Sequence, residues 1–401
     1  MSIKEIDKQY VANTYARFPI ELVSGKGSKL YDADGKEYID MGTGIGVSVF
    51  GVGDEEWVKA VTNQLTKLQH TSNLYYSEPC ALLAEHLCKR TGAKKVFFSN
   101  SGAEANECAI KAARKYAATN KGAEYYNIIT LNNSFHGRTI TTLAATGQDN
   151  FHKDFLPLTD GFLYADAGDL QGVEGLLKEN KVAAIMFETV QGEGGVVPLT
   201  QEFVSGLKKL ADEYNVLLIV DEVQTGNGRT GALYGYMKYG IKPDIVSTAK
   251  GIGGGLPLGA TMLFEKTENV YTPGDHGSTF GGNPVATAGA LNILERIDDE
   301  FLSSVEKKSE YIINELSSAE GVKGITGLGL MLGIETEKDV NEVLSYCQQN
   351  GVLPIKAKNK LKITYQHLQM NIVKAHSRFN KHQCIDFDFT HSQKEISLAT
   401  I

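Results

Sequence analysis

Apolar and polar positions fall in alternating blocks along most of the chain, and the blocks predict a repeating order of strand and helix. KKVFFSN (94–100) reads as a short buried strand, and the Ala-rich run AEANECAIKAARKYAA behind it reads as a helix. NIITLNNSFHG (127–137) is a strand running into a loop. VAAIMFETVQGEGG (182–195) is a strand ending in glycines, and FVSGLKKLADEYN (203–215) is a helix. VLLIVDEVQTG (216–226) and KPDIVSTAKGIGGG (242–255) are two more strands, the second ending at a lysine. Near-continuous Val/Ile/Leu strands separated by helices predict an α/β fold with a mostly parallel sheet covered on both faces. In such sheets a ligand sits at the carboxyl ends of the strands.

The flanks read differently. GKGSKLYDADGKEYIDM (25–41) predicts a hairpin turning at Asp34-Gly35. A helix is expected from about Glu55 to Gln69, with Val58, Val61 and Leu65 on one face. From about Asn292 the order becomes helix, a strand pair in EGVKGITGLGLMLGIE, and a helix in DVNEVLSYCQQNG that stops at Gly351. That change predicts a second, smaller lobe.

Composition narrows the function. A chain of 401 residues has room for two lobes. Its net charge of -8 argues against a nucleic-acid partner. No apolar run approaches the roughly 18 residues that span a membrane. The start, MSIKEIDKQYVANTYARF, has no apolar core of the kind a secretory leader needs. Five scattered cysteines (Cys80, Cys88, Cys108, Cys347, Cys384) lack metal-ligand spacing and suggest reduced thiols in a cytoplasmic protein. The 42 glycines suggest many tight turns and close backbone approaches, as phosphate-binding α/β enzymes need.

Candidate chemistry gathers at the predicted strand ends. Asp221 closes NVLLIVD, where a carboxylate enters the sheet-end crevice; a helix cap or structural ion pair is the plainer alternative. Lys250 closes DIVSTAK, just before glycines that allow a ligand to approach the backbone. Desolvation there would lower the pKa of its amine, although most lysines are simply solvated. Ser101-Gly102-Ala103-Glu104 stands between a strand and a helix, so it either caps the helix or offers free N–H groups to a phosphate. Phe135-His136-Gly137-Arg138 follows a strand. Phe135 suits core packing or ring stacking, and Arg138 suits the surface or a bidentate carboxylate contact. His276-Gly-Ser-Thr-Phe-Gly-Gly-Asn283 offers the hydroxyls of Ser278 and Thr279.

In order and spacing, SGAEA, SFHGRT, ETVQGEGG, DEVQTGNGRTG, STAKGIGGGLPLGA and HGSTFGGNP resemble the class III aminotransferases of the ornithine/4-aminobutyrate type. The likeness runs from about residue 10 to about residue 358. It implies the pyridoxal-phosphate-dependent transferase fold type I, with a large domain built on a mostly parallel seven-stranded sheet and a smaller α+β domain. Residues 1–45 and 285–401 would form the small domain, and 46–284 the large one. The implied cofactor is pyridoxal 5'-phosphate (PLP), which needs a lysine for its Schiff base, a carboxylate facing its ring nitrogen, N–H groups for its phosphate and a flat side chain on its ring.

The resemblance assigns roles by position. Lys250 would form the Schiff base and shuttle the proton, and Asp221 would pair with the pyridine nitrogen. Ser101, Gly102 and Ala103 would hold the phosphate, with Thr279 reaching it from the neighbouring subunit of a homodimer with shared sites. Phe135 would stack on the ring, with Val223 and Gln224 also against the cofactor. Arg138 and Ser278 would contact substrate. Glu193 would act as a gate that pairs with a second arginine while the amine donor binds. The substrates implied are an ω-amino donor and a 2-oxo acid. YIDMGTGIGV and LQHTSNLYY favour N2-acetylornithine and 2-oxoglutarate, as in arginine biosynthesis. Ornithine, 4-aminobutyrate and N2-succinylornithine stay open as donors, and so does a PLP-binding protein with impaired turnover.

The last segment departs from this family. Where an apolar–Arg–apolar run and a proline are expected, the chain reads KLKITYQHLQMNIVKAHSRFNKHQCIDFDF. No glycine follows Gly351, and four of the nine histidines (His367, His376, His382, His391) lie here. From Lys360 on there are six Lys+Arg against three Asp+Glu, in a chain that is otherwise acidic. A shifted reading frame from about Lys360 would produce this pattern. Lys362 lies nearest the expected second arginine, and a lysine cannot make a bidentate fork. Weak turnover of glutamate is the expected result.

Overall fold

The computed structural model describes residues 1–364, together with the backbone of two short strands, His376–Asn380 and Gln383–Asp388. Most of the segment to which the frameshift reading applies, from about Lys360, lies outside the described residues. Lys360–Ile363 is a regular strand, paired antiparallel to both Met331–Thr336 and Ile355–Ala357.

Seven strands form the central sheet, in the spatial order 95–99, 259–263, 245–248, 217–221, 182–188, 127–131, 162–165. Only Gly259–Leu263 runs against its neighbours; the other pairings are parallel. The predicted α/β architecture is therefore the observed one. The parallel strands are largely apolar because helices cover both faces. Val182–Glu188 is buried at all seven positions.

Helix Gly102–Asn120 packs on one face through Ala105, Cys108, Ala109, Ala112, Ala113 and Ala117. These small side chains let its axis approach the sheet closely. The other face is covered partly by helix Gln201–Glu213, which buries Phe203, Val204, Leu207 and Ala211 on one stripe. Truncating Leu207 to Ala there would cost about 2–5 kcal/mol.

A smaller apolar cluster joins the two ends of the chain. It contains Ile39 and Met41 from the N-terminal segment and Val305, Leu332, Val343 and Ile363 from the C-terminal part. The predicted hairpin is present as Lys29–Asp32 and Glu37–Asp40. Its second strand also pairs in parallel with Val352–Leu353, which ties the N-terminal segment to the C-terminal lobe. The helix expected from Glu55 to Gln69 ends at Leu65. Its Trp57, the one tryptophan of the chain, lies against Gly254 and Gly289, in the turn and helix that follow Lys250.

After Asp40 the backbone enters a left-handed turn. Thr43, Gly44, Ile45 and Gly46 have φ of 47°, 64°, 66° and 79°. Such a conformation costs a non-glycine residue roughly 1–2 kcal/mol, so Thr43 and Ile45 need compensating contacts.

Candidate active site

A cavity of about 460 Å³ opens at the carboxyl ends of the central strands. Its walls include Ser101, Gly102, Ala103, Phe135, Arg138, Asp221, Val223, Gln224 and Lys250, residues drawn from four separate motifs. The parallel strands deliver them: Asp221 ends one strand, and Lys250 follows the next after Ala249.

Asp221 is 3% exposed, yet its carboxylate is well partnered. Oδ1 accepts from the Val223 backbone N–H at 3.0 Å. Oδ2 accepts from Asn106 Nδ2 at 2.7 Å and faces His136 Nδ1 at 2.8 Å. Glu188 is its partner in register on the adjacent parallel strand. Two buried carboxylates side by side repel each other. Burial pushes Glu188 up to about 7; His136 opposes that shift, and Asp221 adds to it. Glu188 bridges two loops, accepting from Phe135 N at 3.0 Å and from Gly192 N at 3.2 Å.

Lys250 adopts φ of 50° at the start of a short turn, Lys250–Ile252. Burial pushes its amine down to about 8, and the positive charge of Lys362 adds to the effect. Glu193, Asp221 and Glu188 hold it back from falling further. This is the desolvated amine expected for a lysine in such a position.

The Ser101 hydroxyl accepts from Glu104 N at 3.2 Å and so caps helix Gly102–Asn120. Its side chain is committed to that cap, leaving the first-turn N–H groups to serve an anion. Gly102 is required by packing, because a Cβ there would lie 2.5 Å from Val223 Cγ1. Phe135 meets Phe151 edge-on, with ring centroids 5.8 Å apart. The Arg138 guanidinium lies over both rings, 5.7 Å from Phe135 and 4.6 Å from Phe151. Gln224 donates from Nε2 to Glu193 Oε1 at 3.3 Å, and its own Oε1 is buried with no partner among the described residues.

Glu193 lies beside the cavity rather than in its wall. Its Oε1 accepts from Lys362 Nζ at 2.6 Å, and the Lys362 side chain is fully buried. Burial raises the Glu193 carboxyl, but the charge and hydrogen bond of Lys362 outweigh it and hold the group below its ordinary value. Ser278 and Thr279 are not in the cavity of their own chain. Ser278 Oγ accepts from Asn100 Nδ2 at 3.1 Å and from Gly281 N at 2.9 Å. Thr279 and the neighbouring Phe280 face outward.

Sequence reasoning passed over Asn106, Glu188 and Val47, although Val47 also lines the cavity. Glu188 carries the signal that singled out Asp221, an acidic residue closing an all-apolar strand. Asn106 is a poor helix former set among alanines, which marks it as a side chain with a specific partner.

Known proteins agree with this arrangement. The family model described as Aminotransferase class-III matches residues 10–378. An acetylornithine aminotransferase of Haemophilus ducreyi is 48% identical over 363 residues, 90% of this chain and 92% of its own length. A succinylornithine transaminase of Salmonella newport is 45% identical, over 82% of each chain. The solved N-acetylornithine aminotransferase of Stenotrophomonas maltophilia superposes with a TM-score of 0.80 at 33% identity, covering 92% of this chain and 94% of that one. With its parallel sheet, its strand-end lysine and carboxylate, and these relatives, the chain belongs to the class III aminotransferases.

Proposed function

We propose that this chain transfers the ω-amino group of N2-acetylornithine to 2-oxoglutarate, giving glutamate, as a step in arginine biosynthesis. The observation that carries the reading is a single cavity that brings Lys250, with its lowered pKa, together with Asp221, Phe135 and Arg138. Enzymes of this family depend on PLP. The residues fit it in three ways: N–H groups at a helix start for a phosphate, a buried partnered carboxylate for a ring nitrogen, and an unpaired Gln224 Oε1 for a ring substituent. Bound PLP supplies an aldehyde for the amine and a protonated ring that withdraws electrons.

The residues of the chain do the rest. Lys250 would hold PLP through its Nζ and would carry the proton that moves during amino transfer on that atom. Asp221, held in orientation by Asn106 and His136, would keep the ring nitrogen protonated. Phe135 would stack on the ring, and Val223, also in the cavity wall, would contact the cofactor. Arg138 grips a substrate carboxylate. The Glu193–Lys362 pair stays closed for the donor and opens to give Lys362 to the second carboxylate of 2-oxoglutarate.

A cytoplasmic homodimer with shared sites belongs to the same reading, and the outward Thr279 and the exposed Leu74, Tyr75, Tyr76 and Phe280 support it. So does a division of the chain near residues 45 and 285 into small and large domains. Among the described residues no helix is long and apolar enough to cross a membrane. A succinylornithine donor is the second reading, favoured by the Salmonella newport relative.

The test is a donor panel assayed with 2-oxoglutarate on wild type and Lys250→Ala. N2-acetylornithine should give the highest kcat/KM and the alanine variant no turnover. A higher kcat/KM for another donor rejects the substrate assignment, and turnover by Lys250→Ala rejects the role of the lysine.

A further inference from the structure

The left-handed turn Thr43–Gly46 touches the functional cavity from two sides. It packs against the Lys250–Ile252 turn, and Val47, which follows it, is part of the cavity wall. Gly46 lies close enough to Gln224 that a Cβ there would sit 3.9 Å from Gln224 Cγ. Two of the four turn residues are β-branched, the type least tolerant of positive φ. A turn of this kind persists only where its surroundings over-determine it.

Those surroundings converge on Thr364. Its N–H donates to Met41 O at 3.0 Å, and its Oγ1 donates to Gly42 O at 2.7 Å. Its carbonyl accepts from Thr43 Oγ1 at 2.7 Å and also from Arg229 Nη1. The Asp40 carboxylate completes the hold, accepting from Gly42 N at 3.0 Å and Thr43 N at 2.7 Å. Arg229 is 1% exposed and forms no carboxylate pair among the described residues. Its guanidinium is thus committed to a backbone carbonyl at the junction of the N-terminal segment, the large sheet and the C-terminal strand.

We propose that Thr364, backed by Arg229, is a positioning residue for amino transfer: it clamps the left-handed turn Thr43–Gly46 so that the turn holds the Lys250 and Gln224 side of the cavity in place. The proposal rests on the reading of that cavity as the amino-transfer site. It places the clasp inside the segment where the sequence leaves the family pattern, a few residues past the end of the likeness near residue 358.

Thr364→Val keeps the shape of the side chain and removes the hydroxyl that serves Gly42 O. In the cofactor-free protein, the amides of Gly46, Val47 and Ser48, which bond back to Gly42 and Thr43, should exchange with solvent about tenfold faster, the effect of one lost buried hydrogen bond. KM for both substrates should rise by a similar factor with kcat little changed, and Thr364→Ser should restore both. Ile45→Gly removes the strain the clasp opposes, so the Thr364→Val effect on exchange should be several-fold smaller in that background. Unchanged exchange in Thr364→Val, an equal effect in both Ile45 backgrounds, or faster exchange with unaltered KM would each overturn the proposal. If no donor is turned over at all, the reading of the cavity fails, while the exchange measurements still decide whether the clasp exists.

Discussion

Lys362 Nζ stands 2.6 Å from Glu193 Oε1, and the lysine side chain is wholly buried while the glutamate keeps about a third of its surface. On the proposed reading, a lysine takes the place of the second arginine that the resemblance implies, paired with the glutamate proposed as its gate. A buried ion pair is costly to form and costlier to break on one side only. Lys362→Met should lower stability by about 3–5 kcal/mol, read by denaturant titration. Because Glu193 is held below its ordinary value, the contribution of the pair is present above the usual carboxylate range. It is lost as pH falls through the depressed value.

Lys362→Arg tests the same pair in the other direction. A guanidinium adds a second charge-assisted donor to a carboxylate, worth roughly 1.5 kcal/mol or about tenfold in affinity. KM for 2-oxoglutarate should fall by about that factor, while kcat/KM for the amine donor should change far less. Steady-state kinetics with each substrate varied in turn check the prediction, and an unchanged KM for 2-oxoglutarate contradicts it.

The amine of Lys250 should titrate near 8 rather than at the ordinary 10.5. Capture of added PLP by cofactor-free protein should accelerate with pH to a midpoint near 8. Removing Lys362 should move that midpoint up, and Glu193→Gln should move it down. The sign for stability follows from proton counting. Between about 8 and 10.5 the unfolded chain holds a proton on this lysine that the folded chain does not. The cofactor-free fold should therefore gain stability as pH rises through that window.

Gly102→Ala should weaken cofactor binding, because the new Cβ would lie 2.5 Å from Val223 Cγ1 at the start of the helix. Overpacking of this kind costs roughly 1–3 kcal/mol, about a tenfold to hundredfold rise in the dissociation constant. Val223→Ala opens the space again and should recover most of the loss in the double variant. Cofactor titration by absorbance reads both.

Asp221→Asn turns an acceptor into a donor that faces Asn106 Nδ2 and His136 Nδ1, so the buried network loses both its charge and its hydrogen-bond polarity. A drop of about 10²–10³ in kcat is expected, with the protein still folded by circular dichroism. A loss below tenfold would reject a charge role for this carboxylate.

Five of the seven central strands and the strand-end chemistry were legible in the sequence, because strands such as Val182–Glu188 and Leu217–Asp221 are apolar up to the carboxylate that closes them, while Phe162–Ala165 and Gly259–Leu263 carry no such signal. Asp221 and Lys250 stand out for that reason, and Glu188 could have been found by the same rule. The partners of these groups were hidden. Asn106 and Asp221 lie 115 positions apart, and no local pattern joins a helix asparagine to a strand carboxylate. Lys362 read as a loss because its residue type is wrong for a fork. Its burial against Glu193 is what supports reading it as a substitute. The left-handed turn escaped as well, since the β-branched Thr43 and Ile45 argue against positive φ. Contacts with Thr364, more than 300 residues away, override that preference.

Trp57 lies against the glycines that follow Lys250, and the chain has no other indole. The protein thus carries its own optical gauge. Every photon of tryptophan emission comes from beside the loop that bears the lysine, so cofactor loading and motion there can be followed without a label.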